Sequence, residues 1–65
     1  MRSVGYDQAS NVLKIEFPGG EIYRYLGVPS DVHRGLVTAT SAGQYFHQRI
    51  RGVYEYERVA LSLKR

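Results

Sequence analysis

Between residues 12 and 17 the chain alternates, with apolar Leu13, Ile15 and Phe17 separated by charged Lys14 and Glu16. A period of two sends successive side chains to opposite faces, so this run predicts a half-buried strand. Ser3 to Asp7 predicts a shorter strand upstream, set apart by Gln8-Ala9-Ser10-Asn11, a group rich in turn formers. Downstream, Pro18-Gly19-Gly20 predicts a turn, because proline fixes φ and glycine takes positive φ without steric penalty. Glu21 to Leu26 then predicts a third strand, with Tyr23 and Tyr25 on one face and Ile22, Arg24 and Leu26 on the other. Connections this short predict an antiparallel meander.

Gly27-Val28-Pro29 breaks the sheet, and the period lengthens. Ser30 is expected to cap a first helix, with Asp31 placed where a negative charge complements the helix dipole. Val32, Leu36, Val37 and Ala39 supply its apolar stripe, which Gly35 weakens by about 1 kcal/mol relative to alanine. Thr40 or Ser41 starts a second helix, and Ser41-Ala42-Gly43-Gln44 has the spacing of a capping box. Tyr45, Phe46 and Ile50 lie on one side of it, and His47, Gln48 and Arg51 lie away from them. Gly52 is its expected C-terminal cap.

The segment Val53 to Val59 alternates Tyr54, Tyr56 and Arg58 against Glu55 and Glu57. Two arrangements satisfy it: an extended segment paired with a sheet edge, or a segment draped over the helices. Ala60 to Arg65 reads as a frayed tail. The expected fold class is α+β, a three-stranded antiparallel β-meander followed by two helices packed on one sheet face (β-β-β-α-α). Residues 1–65 read as a single domain with a core from about residue 3 to 59.

Length sharpens the picture. A chain of 65 residues buries only about 60% of its unfolded surface and is not expected to exceed a net stability of roughly 3–5 kcal/mol. It has no cysteine, which removes disulfides and thiolate zinc sites and makes a reducing, cytoplasmic location the expectation. No apolar run approaches the roughly 18–20 residues that span a bilayer, and no signal-peptide core is present, so membrane insertion and export are not expected. Six tyrosines and no tryptophan make tyrosine the main bulky side chain, one suited to half-buried positions because its hydroxyl wants a partner. The net charge of +3 is uneven. Arg2, Lys14 and Arg24 balance Asp7, Glu16 and Glu21 in residues 1–30, so the whole excess lies in the second half.

Two groups of residues could carry a ligand. Tyr23-Arg24-Tyr25 is either a stacking platform for bases or a pair of core-edge tyrosines with their hydroxyls at the rim. Arg49, Arg51 and Arg58 with Tyr54 and Tyr56 form the best basic-aromatic set, since arginine can fork onto phosphate or stack on a base. Glu55 and Glu57 could instead neutralise those arginines. Arg49 and Arg51 diverge by about 200° on a helix, so Arg49 is expected over the tyrosines or beside a carboxylate, leaving Arg51 free. His33 and His47 read as exposed polar positions, without the cysteines or carboxylates of a metal or acid–base site. Gly19-Gly20 lacks the strand-to-helix context of a phosphate loop, and no nucleophile motif is present.

The pieces together resemble a known family. Gly5-Tyr6-Asp7, Leu13-Lys14-Ile15-Glu16-Phe17 and Ile22-Tyr23-Arg24-Tyr25-Leu26-Gly27-Val28-Pro29 resemble the KTSC domain, whose mark is a Tyr-x-Tyr pair. Ser41-Ala42-Gly43-Gln44-Tyr45-Phe46, Ile50-Arg51-Gly52 and Tyr54-Glu55-Tyr56-Glu57-Arg58-Val59 extend the likeness to most of Ser3 to Val59. That family takes its name from the C-terminus of some lysyl-tRNA synthetases and also occurs as free-standing bacterial and phage proteins. No synthetase catalytic region is present, so aminoacylation does not carry over. The resemblance marks Tyr23, Tyr25, Ser41, Gly43, Tyr45 and Phe46 as family positions and implies RNA binding as the proposed role.

Two function classes follow. The first is a non-enzymatic nucleic-acid-binding module using Arg24, Arg49, Arg51, Tyr54, Tyr56 and Arg58. The alternative is a protein-interaction or accessory module that presents the uncovered sheet face or an edge strand. Neither calls for a cofactor, a metal or a membrane.

Overall fold

Strands β1 (Ser3–Asp7), β2 (Val12–Glu16) and β3 (Glu21–Tyr25) form the expected meander. Helices α1 (Ser30–Thr38) and α2 (Ala42–Arg49) follow, and then a fourth strand, β4 (Tyr56–Leu61), pairs antiparallel with β3. The computed structural model describes residues 1–61. The order β-β-β-α-α-β corrects the three-stranded expectation: the sheet has four strands in the order β1-β2-β3-β4. The Val53–Val59 alternation belongs to a sheet edge because it sets Tyr56 opposite Tyr25 and Arg58 opposite Tyr23. Draped over the helices, the same segment would leave the backbone groups of β3 without partners. Ala60 and Leu61, expected in a frayed tail, are part of β4 opposite Ile22 and Glu21. The rest of that tail, 62–65, lies outside the described residues.

Register sorts the side chains into rows. One row on the helix side runs Tyr6–Leu13–Tyr25–Tyr56, and the next runs Val4–Ile15–Tyr23–Arg58. The opposite face carries the row Gly5–Lys14–Arg24–Glu57. At the β2–β3 turn Gly20 takes φ 91°, a left-handed value that favours glycine, and donates to the Phe17 carbonyl at 2.9 Å.

The helix ends differ in part from expectation. Ser30 does not cap α1; Pro29 does, with φ −67° and ψ 156° and no side-chain bond. Its ring presets φ near the required value, and its carbonyl accepts from the Val32 amide at 3.0 Å. Ser41 does cap α2, its hydroxyl oxygen accepting from the Gln44 amide at 3.3 Å. At the other end the cap residue is Ile50, not Gly52, which turns the chain two residues later at φ 79°.

The helices seat on the centre of the sheet. Leu13, Ile15, Val28 and Ile50 are fully buried, joined by Leu36, Tyr25 and Phe46. The Phe46 ring meets Phe17 and Tyr25 edge-on, with centroids 5.7 and 5.4 Å apart, the favourable geometry for aromatic quadrupoles. Between the helices Gly35 makes room for a ring, since a Cβ built there would overlap the Tyr45 hydroxyl and lie 2.6 Å from Cζ. His33, expected as an exposed polar position, is half-buried. Its ring stacks on Tyr6 with centroids 4.6 Å apart, while the Tyr6 hydroxyl donates to the Val28 carbonyl at 2.6 Å. Among the described residues no helix is long and apolar enough to cross a membrane.

Phe46→Ala removes the ring that joins α2 to Phe17 and to Tyr25 of β3. It should cost about 3–5 kcal/mol, nearly the whole stability of a domain this size; a folded variant with an unchanged melting curve would contradict the packing. Gly35→Ala should gain about 1 kcal/mol of helix propensity and lose about 1–3 kcal/mol to overpacking. We expect a lowered melting temperature, and in a Tyr45→Ala background the same change should become stabilising. A thermal double-mutant cycle measures that reversal of sign.

Candidate functional site

The helices cover the sheet unevenly. Along the row Tyr6–Leu13–Tyr25–Tyr56, Leu13 is 0% exposed and Tyr25 3%, but Tyr56 is 58% exposed. Where α2 stops short of β4, an open cleft of about 460 Å³ forms, lined by Tyr23, Tyr25 and Tyr56 from the sheet. Gly43, Phe46 and His47 of α2 make its wall together with Arg51 and Gly52, and Met1, Phe17 and Glu21 lie at its margin.

The tyrosines are mutually arranged. The rings of Tyr23 and Tyr56 stack with centroids 5.3 Å apart and planes 17° apart. Tyr25 lies 5.5 Å from Tyr56 and 6.4 Å from Tyr23. Burial raises the Tyr25 hydroxyl above its usual pKa, and neighbouring Tyr23 and Tyr56 push the same way, while the positive Arg51 opposes them. The Tyr25 ring can therefore act as a neutral hydrogen-bonding aromatic. At the cleft wall the Arg51 guanidinium lies 3.4 Å from His47 Nδ1. The register sets Arg58 opposite Tyr23, on the cleft side of the sheet at its exposed edge.

The residues singled out from sequence are only partly brought together. Tyr56, Arg51 and Arg58 share the cleft side with Tyr23 and Tyr25. Arg49 leaves the set: its guanidinium stands over the Tyr45 ring, 5.9 Å from the centroid, as the divergence along α2 requires. Tyr54 also leaves it, half-buried against the core cluster. Arg24 lies on the opposite sheet face, bound to Glu57 at 2.9 Å. Glu57 thus neutralises Arg24 and none of Arg49, Arg51 or Arg58. The Tyr-x-Tyr pair resolves unevenly, with Tyr25 in the core and Tyr23 between core and cleft.

Sequence reasoning misses Glu21, Phe17 and His47 as cleft residues. Glu21 is accessible in principle, since it precedes Tyr23 by two on the same strand and must share its face. His47 falls on the polar side of α2, and that side is the one lining the cleft. Among the described residues no group of three His, Cys, Asp or Glu could hold a metal ion. The uncovered face bears a shallower depression beside Gly5, Asp7, Lys14 and Arg24. Asp7, Lys14 and Arg24 give it mixed charge beside the apolar Val12.

Comparison with known proteins agrees with this architecture. The chain is 38% identical over 60 residues to a lysine–tRNA ligase of Nostoc sp., covering 92% of this chain but 11% of the ligase. It is 40% identical over 60 residues to an uncharacterised protein of Stutzerimonas stutzeri, covering 91% of this chain and 84% of that protein. The crystal structure of a KTSC domain protein from Yersinia pestis superposes with a TM-score of 0.86 at 34% identity, over 89% of this chain and 82% of that one. The family model of the KTSC domain matches residues 1–54. The chain belongs to the KTSC domain family, a small α+β module found both as a separate protein and within lysine–tRNA ligases.

Proposed function

We propose that this domain is a non-catalytic module that holds a short single-stranded RNA segment in the cleft between β3–β4 and α2. The observation that carries the reading is the stacked Tyr23–Tyr56 pair, which lies in an open cleft with Arg51 on its wall. Aromatic rings accept any base face, and a neighbouring guanidinium supplies the phosphate contact. The kinship with lysine–tRNA ligases, enzymes whose substrate is an RNA, points the same way. The alternative of a protein partner on the uncovered sheet face lacks a comparable feature, because Lys14, Arg24 and Glu57 occupy the centre of that face.

Stacking rather than charge should dominate. With Arg51 and Arg58 as the cleft-side arginines among the described residues, about two phosphates are engaged by side chains, so log K should fall against log salt with a slope of about −1.4. Tyr56→Ala should weaken binding of a labelled uridine-rich decanucleotide by roughly 5- to 150-fold, the equivalent of one lost stack. Arg51→Ala should reduce the salt slope by about 0.7. Arg24→Ala, on the far face, should leave binding unchanged, and Arg49→Ala should act on the melting temperature first. Fluorescence anisotropy at two salt concentrations, paired with thermal melts, checks all four variants. Full affinity in Tyr56→Ala, or a loss confined to Arg24→Ala, would place binding elsewhere.

A further inference from the structure

The cleft contains a carboxylate that phosphate binding does not explain. Glu21, Tyr23 and Tyr25 alternate along β3 and share the cleft face, and Glu21 is half-buried there. Among the described residues the ion pairs are Arg24–Glu57 and Arg34–Asp31, and Glu21 takes part in neither. The positive Arg51 acts on Tyr25, at the other end of the strand. Four residues at about 3.3 Å each separate the backbone positions of Glu21 and Tyr25 by about 13 Å, and Arg58 stands opposite Tyr23 on the neighbouring strand. Tyr23 lies between those two positions, its ring stacked on Tyr56 and met edge-on by Phe17 at 5.5 Å.

This polarity orients a ligand. A phosphate is repelled by Glu21 and drawn to Arg51 and Arg58, so a nucleotide enters with its phosphate on the arginines and its base directed towards the carboxylate. A carboxylate only accepts hydrogen bonds, through two oxygens held side by side. Guanine alone among the four bases sets two donors side by side on its Watson–Crick edge, N1–H and the N2 amino group. Adenine and cytosine each pair an amino donor with a bare ring nitrogen, which the carboxylate opposes. Uracil flanks its single N–H with two carbonyls. Bases of single-stranded RNA are open to such reading on that edge.

We infer that the cleft selects guanine, Glu21 accepting from N1–H and N2–H of a guanine held beside the Tyr23–Tyr56 pair while Arg51 holds its phosphate. This inference rests on the RNA reading above and adds the base that is read.

The test uses hexauridylate and three hexanucleotides carrying one central guanosine, adenosine or cytidine, titrated against the full chain at low salt. The guanosine oligonucleotide should bind about 5- to 150-fold more tightly than hexauridylate, the discrimination of one bidentate pair. Replacing the guanosine by inosine, which lacks the N2 amino group, should remove a large part of that preference without altering the protein. Glu21→Gln should abolish the preference at an unchanged melting temperature and, having lost a charge that repels phosphate, should bind hexauridylate at least as tightly as the unaltered chain does. Equal binding of all four oligonucleotides, a preference for another base, or a guanine preference that survives in folded Glu21→Gln overturns the inference and leaves the RNA reading standing. No binding of any oligonucleotide by the unaltered chain overturns both.

Discussion

The seating of two short helices on Leu13 and Ile15 is the constraint from which the rest of the structure follows. These two side chains at the centre of β2 are fully buried, and Phe46 and Ile50 of α2 and Leu36 of α1 close over the same cluster. α1 and α2 contain nine and eight residues, so at about 1.5 Å per residue each is only some 12–14 Å long. Such a cover protects the middle of a four-stranded sheet and runs out before its edge. The burial gradient from Leu13 to Tyr56 records where it ends. The cleft is the uncovered remainder of the same apolar face, not a separate construction.

Tyrosine is the residue suited to that margin. A phenylalanine at the rim would expose a wholly apolar ring, whereas a tyrosine can bury its ring edge and keep its hydroxyl wet. Tyr25, Tyr23 and Tyr56 pass in order from core to solvent through direct ring contacts, so the cleft floor is braced by the core itself. Strand alternation meanwhile sends Arg24 to the opposite face, where Glu57 from the neighbouring strand meets it. That ion pair is thereby kept on the face away from the rings. On α2 the same sorting is helical: Arg49 covers Tyr45 and Arg51 reaches the cleft.

Much of this was legible in the sequence because it depends on local periodicity. The Leu13–Ile15–Phe17 alternation, the Ser41 cap, the Phe46–Ile50 pair and the divergence of Arg49 from Arg51 all follow from strand or helix geometry over a few residues. What stayed open depended on partners far along the chain. The Val53–Val59 alternation has no apolar stripe strong enough to choose between a strand and a drape; pairing with β3, 31 to 40 residues earlier in sequence, makes the choice. Tyr56 joins Tyr23 and Tyr25 only through that register, and Tyr54, two residues away, goes to the core instead. Gly35 reads as a weak point of α1 until Tyr45 is seen to occupy the space a side chain would need. Ser30 has the ideal residue type for a cap, but Pro29 already holds the required backbone angle one position earlier.

The cleft and the stability of the domain draw on the same apolar face. Burying a large side chain contributes about 1.5–3 kcal/mol, and Tyr56 at 58% exposure forgoes about half of it. For a domain whose net stability is roughly 3–5 kcal/mol, that is a substantial fraction. A longer α2, or a bulky residue in place of the exposed Gly43 in its first turn, would cover the rings and recover part of this energy. Gly43 has open space around the position of a Cβ, so no steric requirement of the fold demands glycine there. What glycine does provide is a low wall beside Tyr23 and Phe46 on the line of entry. A fold under pressure for stability alone has no reason to keep that wall low, whereas the proposed stacking of a base on the exposed tyrosines supplies one.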